Sequence, residues 1–315
     1  MKTNFPAIAI LSCLATAAFG QTLHPEAKLD APGTIDYAIV CEQATQIVGV
    51  GHDGAIYAWT LPDATPRKIA IPDGPVHNIT CAGGSTLAAW LGGGKGLILD
   101  LNTSKVRSRI EPKALLYGLE LSPEGSLLAV SNNADPVQLW DTHSGQKIAT
   151  GINNFGLSTS AAFAPNGQLF VSTDADTNIR AYDRQGKLLY TADGGLLEPF
   201  AAAFTRDSKQ FTAAGADGTI SLYDAASGKK LRSTASSGYP IFSLIMSPDN
   251  HQVMALELDD FSLQPKTIGL WDLHSNTIHP VTAEAAKLIG MGANATHLLL
   301  IQQLDPKTIT VLSLQ

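Results

Sequence analysis

Several short runs in this chain carry residue types that could do chemistry. Gly49-Val50-Gly51-His52-Asp53-Gly54 has the glycine spacing of a dinucleotide-binding turn, and Asp174-Ala175-Asp176-Thr177-Asn178 alternates oxygen ligands as the opening of a calcium loop does. Each device needs a particular setting. The glycine turn must lead into a helix whose N-terminus faces pyrophosphate, but here the strand-like run Ala55 to Thr60 follows. The calcium loop needs a glycine next and a bidentate glutamate at its end, where this chain has Ile179 and Gln185. Gly92-Gly93-Gly94-Lys95-Gly96 lacks the spacing and the Ser or Thr of a P-loop and fits a hairpin turn. The 8 histidines stand apart, without a His-Glu-x-x-His pair, and no Gly-x-Ser-x-Gly elbow occurs. These patterns assign no catalytic residue and no cofactor-binding residue.

The elements that position these runs are repeated. Val137-Gln138-Leu139-Trp140-Asp141 returns as Ile220-Ser221-Leu222-Tyr223-Asp224 and Ile268-Gly269-Leu270-Trp271-Asp272. Aligning the bulky position gives Trp59, Leu101, Trp140, Tyr182, Tyr223, Trp271 and Leu312, a spacing of roughly 40 residues that suits a four-stranded propeller blade. Turns separate the strands within each copy: Ser122-Pro123-Glu124-Gly125, Ala164-Pro165-Asn166-Gly167 and Ser247-Pro248-Asp249-Asn250 make one corner, and Asp-Gly pairs such as Asp217-Gly218 make the next. A lone meander of this kind cannot cover both its faces, whereas stacking in a ring does. The expected fold is therefore all-β, a seven-bladed β-propeller forming one domain over residues 21–315. The last copy stops after its third strand, Thr308 to Leu314, so the missing outer strand is expected from the segment between Gln21 and Asp36, most simply Ala27 to Ala31.

One position in the repeat keeps a carboxylate. Asp53, Asp135, Asp176, Asp217, Asp260 and Asp305 occupy equivalent second-to-third strand turns, which places them around one channel mouth. Turn chemistry alone accounts for aspartate there, but such a circle also offers a site for a divalent cation or a basic partner. The aromatics on third strands are read as packing between blades. Trp90 is off that register, beside the glycine loop, and is the candidate for an exposed partner contact.

Charged residues make up 16% of the chain and the formal charge is −7, without the Lys and Arg clusters of a nucleic-acid surface. Lys2 followed by the apolar run Phe5 to Phe19 and the small residues Ala18 and Gly20 reads as a signal peptide over residues 1–20, cleaved before Gln21. The apolar run is shorter than the about 20 residues a membrane span needs, so no span is expected in the mature chain. Ile10-Leu11-Ser12-Cys13 offers the alternative of lipid anchoring through Cys13. The mature protein is placed in the periplasm or outside the cell, where Cys41 and Cys81 either form a disulfide or remain two buried thiols.

The Leu-Trp-Asp triplets ending at Asp141 and Asp272, the Ser-Pro-Asp/Glu turns and the hairpins at Asp53-Gly54 and Asp217-Gly218 resemble the WD-repeat propeller family in its divergent bacterial form. The Gly-His pair that precedes each first strand in that family is absent here, and Gly51-His52 lies in another turn. The family's His-Asp-Trp network is therefore not carried over, and lactonase-like and quinoprotein-like secreted propellers share this looser pattern. The resemblance implies a monomeric, non-catalytic module that binds a protein partner or a small ligand. Two alternatives stand beside it: an extracytoplasmic lactonase-like hydrolase holding a metal in the channel, and an envelope assembly scaffold.

Overall fold

The computed structural model describes residues 22–41, 46–71, 73–153, 157–194, 198–234, 237–259, 265–281, 283 and 287–314. The apolar leader with Cys13, and Asp260, lie outside the described residues. The described strands make seven four-stranded antiparallel sheets. Six of them are sequential meanders, blades 1 to 6, over residues 35–69, 76–110, 116–150, 158–193, 199–233 and 241–281. The innermost strand of each blade contacts that of the next, and the cycle closes from Leu288–Ala293 back to Ile35–Cys41. This is a seven-bladed propeller.

Blade 5 shows how the sequence builds the unit. Pro199–Phe204, Gln210–Gly215, Ile220–Asp224 and Lys230–Ser233 pair in order. The two middle strands are buried on both faces, which is why Phe211, Ala213, Leu222 and Tyr223 give them no clean alternation. The turn between these strands needs Gly218, whose φ is +73° and whose missing Cβ would lie 2.6 Å from the Tyr239 carbonyl. The outer strand faces water and is polar. At the far mouth the first hairpin turns of neighbouring blades bond to one another: the Gly83 amide donates to the Pro123 carbonyl at 3.0 Å, the Asn166 amide to Ser208 Oγ at 3.0 Å and the Arg206 amide to Asn250 Oδ1 at 2.5 Å.

Blade 7 contains Leu288–Ala293, Leu298–Asp305 and Thr308–Leu314, and its outer strand is Leu23–Asp30. That strand runs antiparallel to Thr308–Leu314, with Leu23 opposite Leu314 and Asp30 opposite Thr308, and shifts register between Pro25 and Ala27. Leu29 is buried among Ile35, Trp59 and Ile309 of blades 1 and 7.

Cys41 and Cys81 are joined in a disulfide between the inner strands of blades 1 and 2, with Cα atoms 5.6 Å apart. They are not at equivalent places: the strand starts at Ile35 and Val76 make Ala82 the counterpart of Cys41. This one-residue offset brings the two side chains within bridging range.

Leu29 tests the seam between the two ends of the array. Replacing Leu29 with Ala leaves a cavity between blades 7 and 1 and should cost about 2–5 kcal/mol. The melting temperature is expected to fall by roughly 5–10 °C, read by circular dichroism, with one cooperative transition retained.

Candidate functional site at one channel mouth

The topology sends three features of every blade to the same mouth: the start of the inner strand, the connection that precedes it and the second-to-third strand turn. Backbone bonds record this, the His52 amide donating to the Thr34 carbonyl, Asn133 to Leu115, Ala175 to Leu157, Ala216 to Glu198 and Leu258 to Pro240. Every inner strand then shifts register around its second residue, and those residues are Asp36, His77, Tyr117, Thr159, Phe200, Phe242 and Ile289. A bulge takes its residue out of the ladder and re-aims it. All seven are exposed or half-buried, so they form a ring at the mouth.

The ring has two characters. Over blades 3 to 7 it is mainly apolar: Tyr117 is 55% exposed, Phe242 39%, and the neighbouring connection residues Leu115 and Ile152 are 69% and 61% exposed. Phe200 and Phe242 stack with ring centres 4.4 Å apart and planes 9° from parallel. Over blade 1 the mouth is polar, with a hydrogen bond between His52 and Asp36 at 3.1 Å and an ion pair between Lys68 and Asp53 at 2.9 Å. Folding keeps these large apolar side chains in water, which marks a contact surface.

The described turn aspartates share this mouth, but each serves its own hairpin. Asp53 accepts from the Ala55 amide, Tyr57 and Lys68; Asp135 from Gln138; Asp217 from the Thr219 amide and hydroxyl; and Asp305 from the Lys307 amide. Partial burial alone would raise Asp53, but its bonds to Lys68 and Tyr57 bring it below the ordinary carboxylate value. Asp176 faces Arg180 together with Asp174, with contacts of 2.5 and 2.9 Å. A guanidinium thus sits between the two carboxylates that resemble calcium ligands. Arg180 holds Asp176 down at about 2, while burial keeps Asp174 above its usual value despite Arg180 and Asn153. Among the described residues, which exclude Asp260, no three His, Cys, Asp or Glu side chains are placed to hold a metal. The channel holds about 720 Å³ and mixes small apolar side chains with polar groups; among the described residues lining it Glu120 is the one carboxylate and there is no histidine. That donor set does not suit a resident divalent cation.

Trp90 needs a correction. It is only 6% exposed, packed on the strand that faces Gly96. Trp90 is therefore not a protruding contact. The third-strand aromatics Trp59, Tyr182, Tyr223 and Trp271 are fully buried between blades, and Trp140 is buried with a small exposed remainder. The exposed ring itself escapes residue-by-residue reading, since its members share a backbone irregularity rather than a residue type. The one signal available is that the second position of the inner strand varies while its neighbours remain small or apolar.

The model of the WD domain, G-beta repeat, matches residues 142–183, which span the outer strand of blade 3 and the first three strands of blade 4. Periodic tryptophan protein 2 of Arabidopsis thaliana is 27% identical over 219 residues, covering 59% of this chain and 24% of that protein. An uncharacterized WD repeat-containing protein of Synechocystis is 26% identical over 145 residues, covering 44% of this chain and 40% of that protein. The chain spans less than half the length of these relatives. Among solved structures, the beta-propeller domain of Cps50 (Swd1) from Myceliophteria thermophila superposes with a TM-score of 0.77 at 13% identity, over 93% of this chain and 100% of that one. A chain of the mitotic checkpoint complex gives 0.74 at 17% identity, over 91% and 94%. The chain is a seven-bladed β-propeller with one segment that matches the WD repeat, and it is similar in sequence to WD-repeat proteins.

Two of the lowered carboxylates contribute to its acid stability. Asp176 and Asp100 both stand at about 2 against an ordinary 3.8, the latter because the Thr103 amide and Arg107 outweigh burial. Between those values the unfolded chain binds protons that the folded chain does not, so this stabilisation is present above about pH 4 and lost as the pH falls toward about 2. The melting temperature should decline across that window, and Asp176→Asn should flatten the decline.

Proposed function

We propose that this protein is an exported, non-catalytic interaction module that binds a protein partner on the apolar part of the bulge ring. The observation that carries this reading is the exposure of Tyr117, Phe242, Leu115 and Ile152 on one mouth, with Phe200 stacked beneath Phe242. Aromatic anchors presented on a rigid scaffold are what protein interfaces enrich. The ring residues lie on inner strands whose backbones are fixed by ladders on one side and neighbouring blades on the other, so little order has to be imposed on binding. Support also comes from the checkpoint-complex neighbour, a propeller chain found within an assembly. Export is supported by the Cys41–Cys81 disulfide, which persists in an oxidising compartment, and by the apolar N-terminal run.

The test compares three forms of the full chain as bait against its own exported fraction, with crosslinking before capture. The native protein and His274→Ser, altered at the opposite mouth, should retain the same partner. Tyr117→Ser combined with Phe242→Ser should weaken capture at least about tenfold without moving the melting temperature. Equal capture by all three forms removes the interaction reading. Mass spectrometry of the exported protein should show Gln21 as its first residue, and a diacylated Cys13 would replace export in free form with lipid anchoring.

A further inference from the structure

The rim between blades 2 and 3 is built differently from the rest of the described mouth. In blades 1, 3, 4 and 5 the first amide after the second strand, and in blade 6 that of the strand's last residue, is donated to the connection that precedes the blade, as His52 does to Thr34 and Asn133 to Leu115. In blade 2 the first residue after the second strand is Gly92. Neither its amide nor those of Gly93 and Gly94 have an internal partner among the described residues. What this leaves is a cavity of about 350 Å³, bounded by the three glycines, His77, Asn78, Trp90, Leu115 and Leu116.

Trp90 lies against this cavity with one unsatisfied group. The indole N–H groups of Trp59, Trp140 and Trp271 donate to the Asp30 carbonyl, Gln138 and Asn276. That of Trp90 has no partner among the described residues, although the side chain is more than nine-tenths buried. An indole nitrogen only donates, and this one is open to the cavity rather than sealed in the core. The cavity thus offers one set of chemistry: the indole N–H, three glycine amides and the Asn78 amide as donors, with Leu115 and Leu116 as an apolar wall. No carboxylate lines it, and the backbone of Lys113 packs against Gly94, whose built Cβ would lie 3.2 Å from Lys113 Cα. Glycine keeps the rim open: at Gly92, where φ is not positive, a Cβ would lie 3.3 Å from His77 Nε2.

We propose that this cavity binds a carboxylate joined to an apolar group, the pairing present at the last residue of a polypeptide and in short free acids. The carboxylate accepts from the indole and glycine N–H groups while its apolar neighbour covers Leu115 and Leu116, as backbone nests capture terminal carboxylates. The proposal rests on the interaction reading and specifies the end of the partner that enters the mouth beside Tyr117.

The experiment follows the indole N–H resonance of Trp90 in the ¹⁵N-labelled full chain, assigned by its disappearance in Trp90→Phe. N-acetyl-alanyl-leucine with a free carboxylate should move that resonance in a saturable way. The same dipeptide ending in an amide should bind roughly tenfold or more weakly, since it loses the charge-assisted bonds. Gly92→Val should abolish the response while the other three indole resonances and the melting temperature stay in place. A dipeptide binding more tightly than hexanoate assigns the site to a polypeptide end, and equal binding assigns it to a free acid; both carry the shared chemistry. Equal binding of acid and amide, or no movement of the Trp90 resonance at saturating ligand, overturns the proposal. Partner capture that depends on Tyr117 and Phe242 while Trp90 stays silent overturns this inference alone, and a responsive Trp90 with ring-independent capture overturns the interaction reading alone.

Discussion

In blades 1, 4 and 5 a third-strand aromatic bonds the segment leading into its own blade, and this contact ties neighbouring blades together. Trp59 Nε1 donates to the Asp30 carbonyl at 2.9 Å, Tyr223 donates its hydroxyl to Gly194 at 2.8 Å, and Tyr182 both donates to the Ile152 carbonyl and accepts its amide. Tyr182 and Tyr223 also close aromatic columns inside the core, Phe163–Phe170–Tyr182 in blade 4 and Phe204–Phe211–Tyr223 in blade 5, with neighbouring centres 4.9–5.4 Å apart. A single side chain therefore fills the gap between blades and satisfies the backbone of the crossing segment, which would otherwise carry buried polar groups without partners.

Because that segment is held, its end is fixed too. The inner strand begins at a defined height, and the bulge that follows falls at the same level in every blade. The ring at the mouth is a by-product of core packing about one turn of chain away. The aspartates closing the third strands play the matching part at the opposite mouth, where Asp141, Asp224 and Asp272 each accept from a backbone amide and a serine hydroxyl in the next turn. Those bonds, from Ser144 first in Asp141, keep the carboxyl groups below their usual range.

What the sequence makes legible is whatever the fold must repeat. Trp140, Tyr182 and Tyr223 recur because blade packing demands a large side chain there, so their period reveals the architecture. Asp176 was readable as a turn residue, but nothing nearby in sequence says that Arg180 would occupy the space between it and Asp174, since that depends on which face of the third strand is turned inward. Trp90 failed for a similar reason: being off register looked like freedom from packing, whereas the side chain is buried to 6% exposure beside the glycine turn. The bulge residues range from Asp36 to Phe242 and Ile289 and have no shared chemistry to detect. A one-residue detour of the backbone leaves no mark on composition.

The same detour bears on how such a protein can change over generations. At a bulge a side chain stands outside the pairing ladder, and in this ring it is exposed or half-buried, so exchanging it disturbs neither hydrogen bonds between strands nor the columns beneath. Most positions of a propeller are bound to one another through packing and drift only together. The bulged positions are the exception, and they stand side by side around a single opening. Mutation can therefore redraw what the mouth recognises, one blade at a time, while the scaffold that displays it stays the same.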